Sequence, residues 1–292
     1  MKFDILNRFS GEVQITAEID CAADTIPAVK LGLAVKWAIK EKKDLGSANL
    51  RSADLGSADL GSANLRSADL RSADLRSADL GSANLYGADL GSADLGSANL
   101  RSADLRSADL RSADLRSANL YGADLGSANL RSANLRSADL GSANLRSANL
   151  YGADLGSANL RSANLRSADL GSANLYGADL GDAKNAELPI AQTRILPEGS
   201  LIGWKKCQNG VIVKLRIPEE AKRSHAFGRK CRAEFADVVE VIGSDVGISM
   251  HDYSTEYRTG QRVTPDRFDE NWMEECAPGI HFFISRIEAE NY

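Results

Sequence analysis

Leucine occupies every fifth position from Leu45 to Leu180, in 28 successive units that, apart from Lys43 and Asp182 at the two ends, read Ala-(Asp or Asn)-Leu-(Gly, Arg or Tyr)-(Ser or Gly), with the Ala and Leu two positions apart. A period of five matches neither the 3.6 of an α-helix nor the 2 of a long strand, and on a helix the leucines would smear around the surface. Ala and Leu can point the same way from a short extended segment if the remaining residues turn a corner, and repeating that corner coils the chain. Each unit then buries one large apolar side chain that only neighbouring coils can cover. At roughly 1.5–3 kcal/mol per buried Leu the row contributes tens of kcal/mol against chain entropy. Ala at the second inward position indicates a narrow interior.

The flanks carry different patterns. Phe3, Ile5 and Phe9, then Val13, Ile15 and Ala17, predict two short strands around Ser10-Gly11-Glu12, and residues 28–40 show helical apolar spacing with Lys30, Lys36 and Lys40 toward the other side. Residues 1–43 therefore read as a β-hairpin and helix that cap the first coil, whose strand edges would otherwise be open; a membrane-surface helix is the less favoured reading, given its few cations. At the other end Asn185 stands where Leu belongs, and Pro189 ends the repeat. Residues 44–185 are thus the coil and 186–292 a separate small α+β domain. In that domain Leu201–Trp204 and Val211–Ile217 flank Asn209-Gly210, a hairpin signal. Pro218-Glu219-Glu220-Ala221 predicts a short helix start, Cys231 to Ile242 one strand, and Gly279 to Ile284 a final strand.

The repeat unit A-(D/N)-L-X-X resembles the pentapeptide-repeat family over about half the chain. The resemblance implies a mainly β, right-handed quadrilateral β-helix with four pentads per coil, hence about seven coils and a rod of roughly 34 Å at about 4.8 Å per coil. The C-terminal segments GSLIGWKKC, GRKCRAE and ECAPGIHFF are similar to a domain of unknown function that follows pentapeptide repeats in phage and prophage proteins. That implies a phage or prophage origin and a role against host machinery, without naming a catalytic residue.

Composition narrows the chemistry. No Pro, Cys, His, Lys, Trp or Phe lies between Asp44 and Asp182, and the net charge is −5. Some pentapeptide-repeat relatives are understood as duplex-DNA mimics that occupy enzymes such as gyrase. A coil of four pentads stacks residues 20 apart, and the best acidic column holds Asp54, Asp74, Asp94, Asp114 and Asp154, with Asn134 and Asn174. The residues before Leu are 16 Asp and 12 Asn, and those after it include 13 Arg. Arg76, Arg116 and Arg136 lie two residues beyond column positions, so a solvated face is favoured over mimicry. Tyr86, Tyr121, Tyr151 and Tyr176 fall on four different faces and form no stacking ladder.

In the C-terminal domain Lys222, Arg223, Arg229, Lys230 and Arg232 are the candidates for an anionic ligand. Cys207, Cys231, Cys276 and His281 would supply a Cys3His zinc site, but no CxxC pair supports it and buried free thiols are the favoured reading. A Cys276 nucleophile with His251 or His281 as base and Asp252 as orienter is a weaker alternative. No cofactor is otherwise implied. The N-terminus lacks a basic segment followed by an apolar run, so a cytoplasmic protein is expected, in the host cell if phage-encoded. The leading expectation is a non-enzymatic interaction protein whose C-terminal domain binds a host protein or small anionic ligand; no membrane or direct nucleic-acid partner is expected, and homo-oligomerisation is left open.

Overall fold

The computed structural model describes residues 1–191, 196, 199–225, 230–270 and 277–292. The chain divides into two units, residues 1–193 and 194–292.

In the first unit the five-residue period becomes a β-helix. Parallel bridges join residues 20 apart from Asn49↔Asp69 through to Asn164↔Lys184, so each turn of the coil takes four pentads. Leu N–H groups donate to the Asp or Asn carbonyl of the next coil at 2.6–2.9 Å, as Leu110 does to Asn129. Within each pentad the following Ala N–H closes a turn on the Leu carbonyl, as Ala113 does on Leu110 at 3.1 Å. The residue before that Ala takes a left-handed conformation in every pentad: Ser in most, with φ near 56°, and Gly after each of the four tyrosines. Every Leu from Leu45 to Leu175, and the Ala two positions ahead of each from Ala48, is buried.

The residue before each Leu has a structural task that the sequence reading assigned to solvent. Its side-chain Oδ1 accepts the backbone N–H two residues on in all 28 pentads, from Asp44 to Asp179, at 2.9–3.4 Å. This is an Asx turn, which needs a short side chain ending in an oxygen, and Asp and Asn both supply one.

Ahead of the coil, β1 (Lys2–Leu6) and β2 (Val13–Glu18) pair antiparallel, followed by α1 (Pro27–Lys40). The predicted first strand stops at Leu6, because Asn7 Oδ1 accepts from Phe9 N at 2.9 Å and turns Phe9 outward. These elements bond to the first coil: Asn49 N donates to Leu6 O at 2.7 Å and Asp54 N to Ala28 O at 3.0 Å. Arg8 reaches across the next coil to the carbonyls of Ser67 and Ala68. The helix can approach because Gly32 has no side chain; a Cβ there would overlap the carbonyl of Asp54. After the repeats comes the short helix α2 (Glu187–Ala191).

The second unit contains β3 (Leu201–Lys206), β4 (Ile212–Ile217), β5 (Arg223–His225), β6 (Lys230–Ala233), β7 (Ala236–Ile242), β8 (Gly247–Ile248), β9 (Glu256–Tyr257), β10 (Arg262–Val263), β11 (Ile280–Phe283) and α3 (Arg286–Glu290). Seven strands form one antiparallel sheet in the order β10-β7-β4-β3-β11-β6-β5, while β8 and β9 pair separately. The β3–β4 hairpin forms around Asn209 and Gly210, both with positive φ. Two expectations are corrected. Residues 218–221 make a turn, closed by Ala221 N on Pro218 O at 3.1 Å, and not a helix. The stretch 231–242 is two strands, β6 and β7, placed on opposite sides of the β3–β4 hairpin. Between them Glu234 N donates to Lys222 O and Arg262 packs 4.4 Å over the Phe235 ring, so the chain leaves the sheet there. The core gathers Val213, Leu215, Ile217, Cys231, Val238, Tyr257 and Phe282. Gly203 of β3 lies so close that a Cβ would stand 2.5 Å from the Phe282 ring.

Candidate functional site

The acidic column exists as a column, with Asp54, Asp74, Asp94, Asp114, Asn134 and Asp154 bridged in succession. Its carboxylates are engaged, however. Each gives one oxygen to its Asx turn, Arg76 pairs with both Asp74 (2.5 Å) and Asp94 (3.7 Å), Arg116 pairs with Asp114, and Arg136 reaches Asp154 at 3.4 Å. Asn174 Nδ2 adds a hydrogen bond to Asp154 Oδ1 at 2.9 Å. The Arg76 and Arg116 side chains hold Asp74 and Asp114 below the usual carboxylate range. Elsewhere Asn likewise follows Asp one coil on and donates to it, as Asn99 does to Asp79. Arginine and asparagine partners thus offset part of the like-charge repulsion along the ladder and part of its negative charge. Arginines 20 residues away lie over three of the four tyrosines, Arg66 over Tyr86, Arg101 over Tyr121 and Arg131 over Tyr151, at 4.7–5.1 Å.

The five basic candidates of the C-terminal unit are not brought together as a clamp. Lys222 is exposed and paired with Glu270. Arg223 is half-buried, and its buried Nη1 makes no hydrogen bond. Arg232 is buried, with Nε donating to Asp269 O at 2.9 Å. Arg229 lies outside the described residues. Lys230 faces a cavity. For the zinc set, Cys207 is a buried free thiol that burial pushes up to about 11, and Cys231 is buried as well. Among the described residues no group of three metal-donor side chains gathers, and Cys276 lies outside them, as does the nucleophile built on it. Asp252 instead organises its own turn, accepting from Ser254 N, Thr255 N and Thr255 Oγ1, which together outweigh its burial and bring its carboxyl down to about 2.

That cavity, of about 200 Å³, is lined by Lys205, Lys206, Lys230, His251 and His281, with Met250, Phe283 and Tyr292 as its apolar wall. Three elements set the basic groups: β3 ends in Lys205-Lys206, β6 begins with Lys230, and β11 carries His281. Lys230 Nζ donates to the Tyr292 hydroxyl at 2.8 Å and Lys206 Nζ to Glu290 O at 3.0 Å, so both are held by neutral groups. Lys205 is only 9% exposed; its Nζ has one long hydrogen bond, 3.4 Å to His281 O, and lies 5.5 Å from the Tyr257 ring. Burial, reinforced by Lys230, pushes its ammonium down from the ordinary lysine range. His281 is 7% exposed, its Nε2 has no hydrogen-bond partner, and burial with the neighbouring cations brings it down to about 3, so it is neutral near pH 7. Its ring meets that of His251 edge-on at 5.9 Å. Among the described residues the lining carries several basic groups and no carboxylate side chain, an arrangement with the chemistry to hold an anion.

Lys205 and Lys206 were missed by the sequence reading. The signal was present: in β3 the alternation buries Leu201, Gly203 and Lys205, so a lysine stands where an apolar residue is expected.

The comparisons with known proteins fall on the two units separately. Four blocks spanning residues 44–182 match the pentapeptide-repeat family model, and the chain belongs to that family through this region. Residues 191–289 match a family of unknown function, DUF5758. Among solved structures, HetL from Nostoc sp. strain PCC 7120, described as involved in heterocyst differentiation regulation, is 37% identical over 49% of this chain and 80% of its own, with a TM-score of 0.22. The pentapeptide-repeat protein Rfr23 from Cyanothece 51142 is 38% identical over 33% of this chain and 58% of its own, at a TM-score of 0.27. QnrB1, described as a plasmid-mediated fluoroquinolone resistance protein, is 20% identical over 52% of this chain and 85% of its own, at 0.41. No curated protein matches the chain.

Proposed function

We propose that the chain is a non-enzymatic interaction protein in which the β-helix is a rigid carrier and the C-terminal unit recognises a small anionic ligand in the Lys205–Lys206–Lys230 cavity. The observation that carries the reading is the lining itself: three lysines and two imidazoles converge on one cavity, and among the described residues no carboxylate side chain joins them. Lysines held only by carbonyl and hydroxyl groups leave charge for an incoming anion. The finer picture of the carrier, a right-handed rod of about seven coils closed at its start by residues 1–43 acting as a cap, belongs to the same proposal. So do a phage origin and action on host machinery in the cytoplasm.

Titration of the full chain with pyridoxine phosphate, a small aromatic phosphate, tests it by calorimetry. One-to-one binding that weakens at least tenfold in the Lys206→Ala/Lys230→Ala variant is expected. Absence of heat, or binding unchanged in the variant, overturns it. Mimicry of DNA by the coil is the weaker alternative, because the column carboxylates are already shared among turns, arginines and asparagines.

A further inference from the structure

We propose that Lys205 is a nucleophilic amine that captures an anionic aldehyde or ketone as an imine inside the cavity. The inference rests on the cavity being an anion site and names the ligand's second functional group.

Three observations separate Lys205 from its neighbours. First, it is buried while lining an open-mouthed cavity, whereas most lysines keep the ammonium in water. Second, among the described residues no carboxylate is paired with it: its single hydrogen bond is the 3.4 Å approach to His281 O, and Asp252 acts on it only through space, favouring the charged form less than burial disfavours it. Cys207, two residues along, stays a neutral thiol near pH 7, since burial raises it. Third, a second cation shares the cavity in Lys230, which is tied to the neutral Tyr292 through its hydroxyl and ring. A desolvated amine next to another cation loses its proton readily, and the free amine is the nucleophile. The Tyr257 ring favours the charged form at 5.5 Å, but a cation–π contact of about 2 kcal/mol does not offset removal of an ammonium from water.

The chemistry closes on the residues present. The Nζ lone pair attacks the carbonyl carbon, the C=O π pair takes a proton to give a carbinolamine, and loss of water leaves the C=N bond. No oxidant or reductant is needed. The unpartnered Nε2 of buried, neutral His281 can accept the proton shed by nitrogen and return it to the departing hydroxyl. Lys206 and Lys230 would hold the ligand's phosphate or carboxylate at the mouth, while Phe283, Tyr292 and Met250 cover its apolar part.

A matched pair of probes tests this on the full chain: pyridoxal phosphate, which carries an aldehyde, and pyridoxine phosphate, which carries an alcohol in its place. Imine formation is read by its absorbance band, and the modified lysine is located by peptide mass spectrometry after reduction with cyanoborohydride. The expected result is modification concentrated at Lys205, at least tenfold over any other lysine, with loss of the band in Lys205→Arg and slower formation in His281→Gln. Modification spread over surface lysines, or confined to Lys206 or Lys230, overturns the proposal. Mapping is done on the unaltered protein, so a variant that fails to fold does not spare it. If pyridoxine phosphate binds but pyridoxal phosphate leaves Lys205 unmodified, the nucleophile is wrong and the anion site stands; if neither binds, both fall.

Discussion

Asp114 separates two explanations of why Asp or Asn precedes every leucine. Its Oδ1 accepts Arg116 N at 3.1 Å, and its Oδ2 pairs with Arg116 Nη2. Asp114→Asn keeps the turn acceptor and loses the ion pair. With the partners' side chains 60% and 27% exposed, that pair is worth about 0–1 kcal/mol, and removing the repulsion with Asp94 one coil back offsets part of it. A cost below about 0.5 kcal/mol is expected. Asp114→Ala removes the acceptor as well, leaving the Arg116 N–H unpaired at a corner, for a total of about 1–2 kcal/mol. Urea unfolding of the full chain, followed by far-ultraviolet circular dichroism at pH 7, measures both. The pH dependence follows in sign. Arg116 lowers the folded Asp114 value below 3.8, so the pair's contribution is present above 3.8 and lost as pH falls through the folded value. The gap between the natural chain and the Asn variant should therefore close in acid. If Asn costs as much as Ala at pH 7, the column is selected for charge and the Asx-turn account is refuted.

Three further outcomes follow from the same structure. Leu110→Ala, in mid-coil where ladder hydrogen bonds on both sides hinder collapse, should cost about 2–5 kcal/mol in urea unfolding, and Ala108→Leu about 1–3 kcal/mol by overpacking the narrow interior. Gly32→Ala should destabilise the first coil by about 1–3 kcal/mol, read as faster hydrogen exchange at Asn49 and Asp54 than at Asn129, because the helix must retreat from the Asp54 carbonyl. His281, depressed to about 3 from 6.5, contributes stability that is complete above 6.5 and is lost as pH falls toward 3, at up to about 1.4 kcal/mol per pH unit; His281→Gln should flatten that part of the profile.

The inward face of the repeat was readable because its information is local and periodic. Leu and Ala every five residues exclude helix and long strand, and once a coil takes four pentads every residue's neighbours are those 20 before and after it. The hairpin at Asn209-Gly210 and the helix at Pro27–Lys40 were legible for the same reason, since turn chemistry and helical spacing act within a few residues. What Asp and Asn do was not legible, because an Asx hydrogen bond leaves the same composition as a solvated polar face. In the C-terminal unit the order β10-β7-β4-β3-β11-β6-β5 brings residues 205, 230, 251 and 281 to one cavity. Their charges come from separate segments, so the sequence favoured the contiguous run from Lys222 to Arg232. Burial then decided the chemistry: a lysine looks the same in sequence whether it ends in water or beside Lys230 and His281. Only the packed sheet removes its solvent, and desolvation is a property of the surroundings, which no single segment encodes.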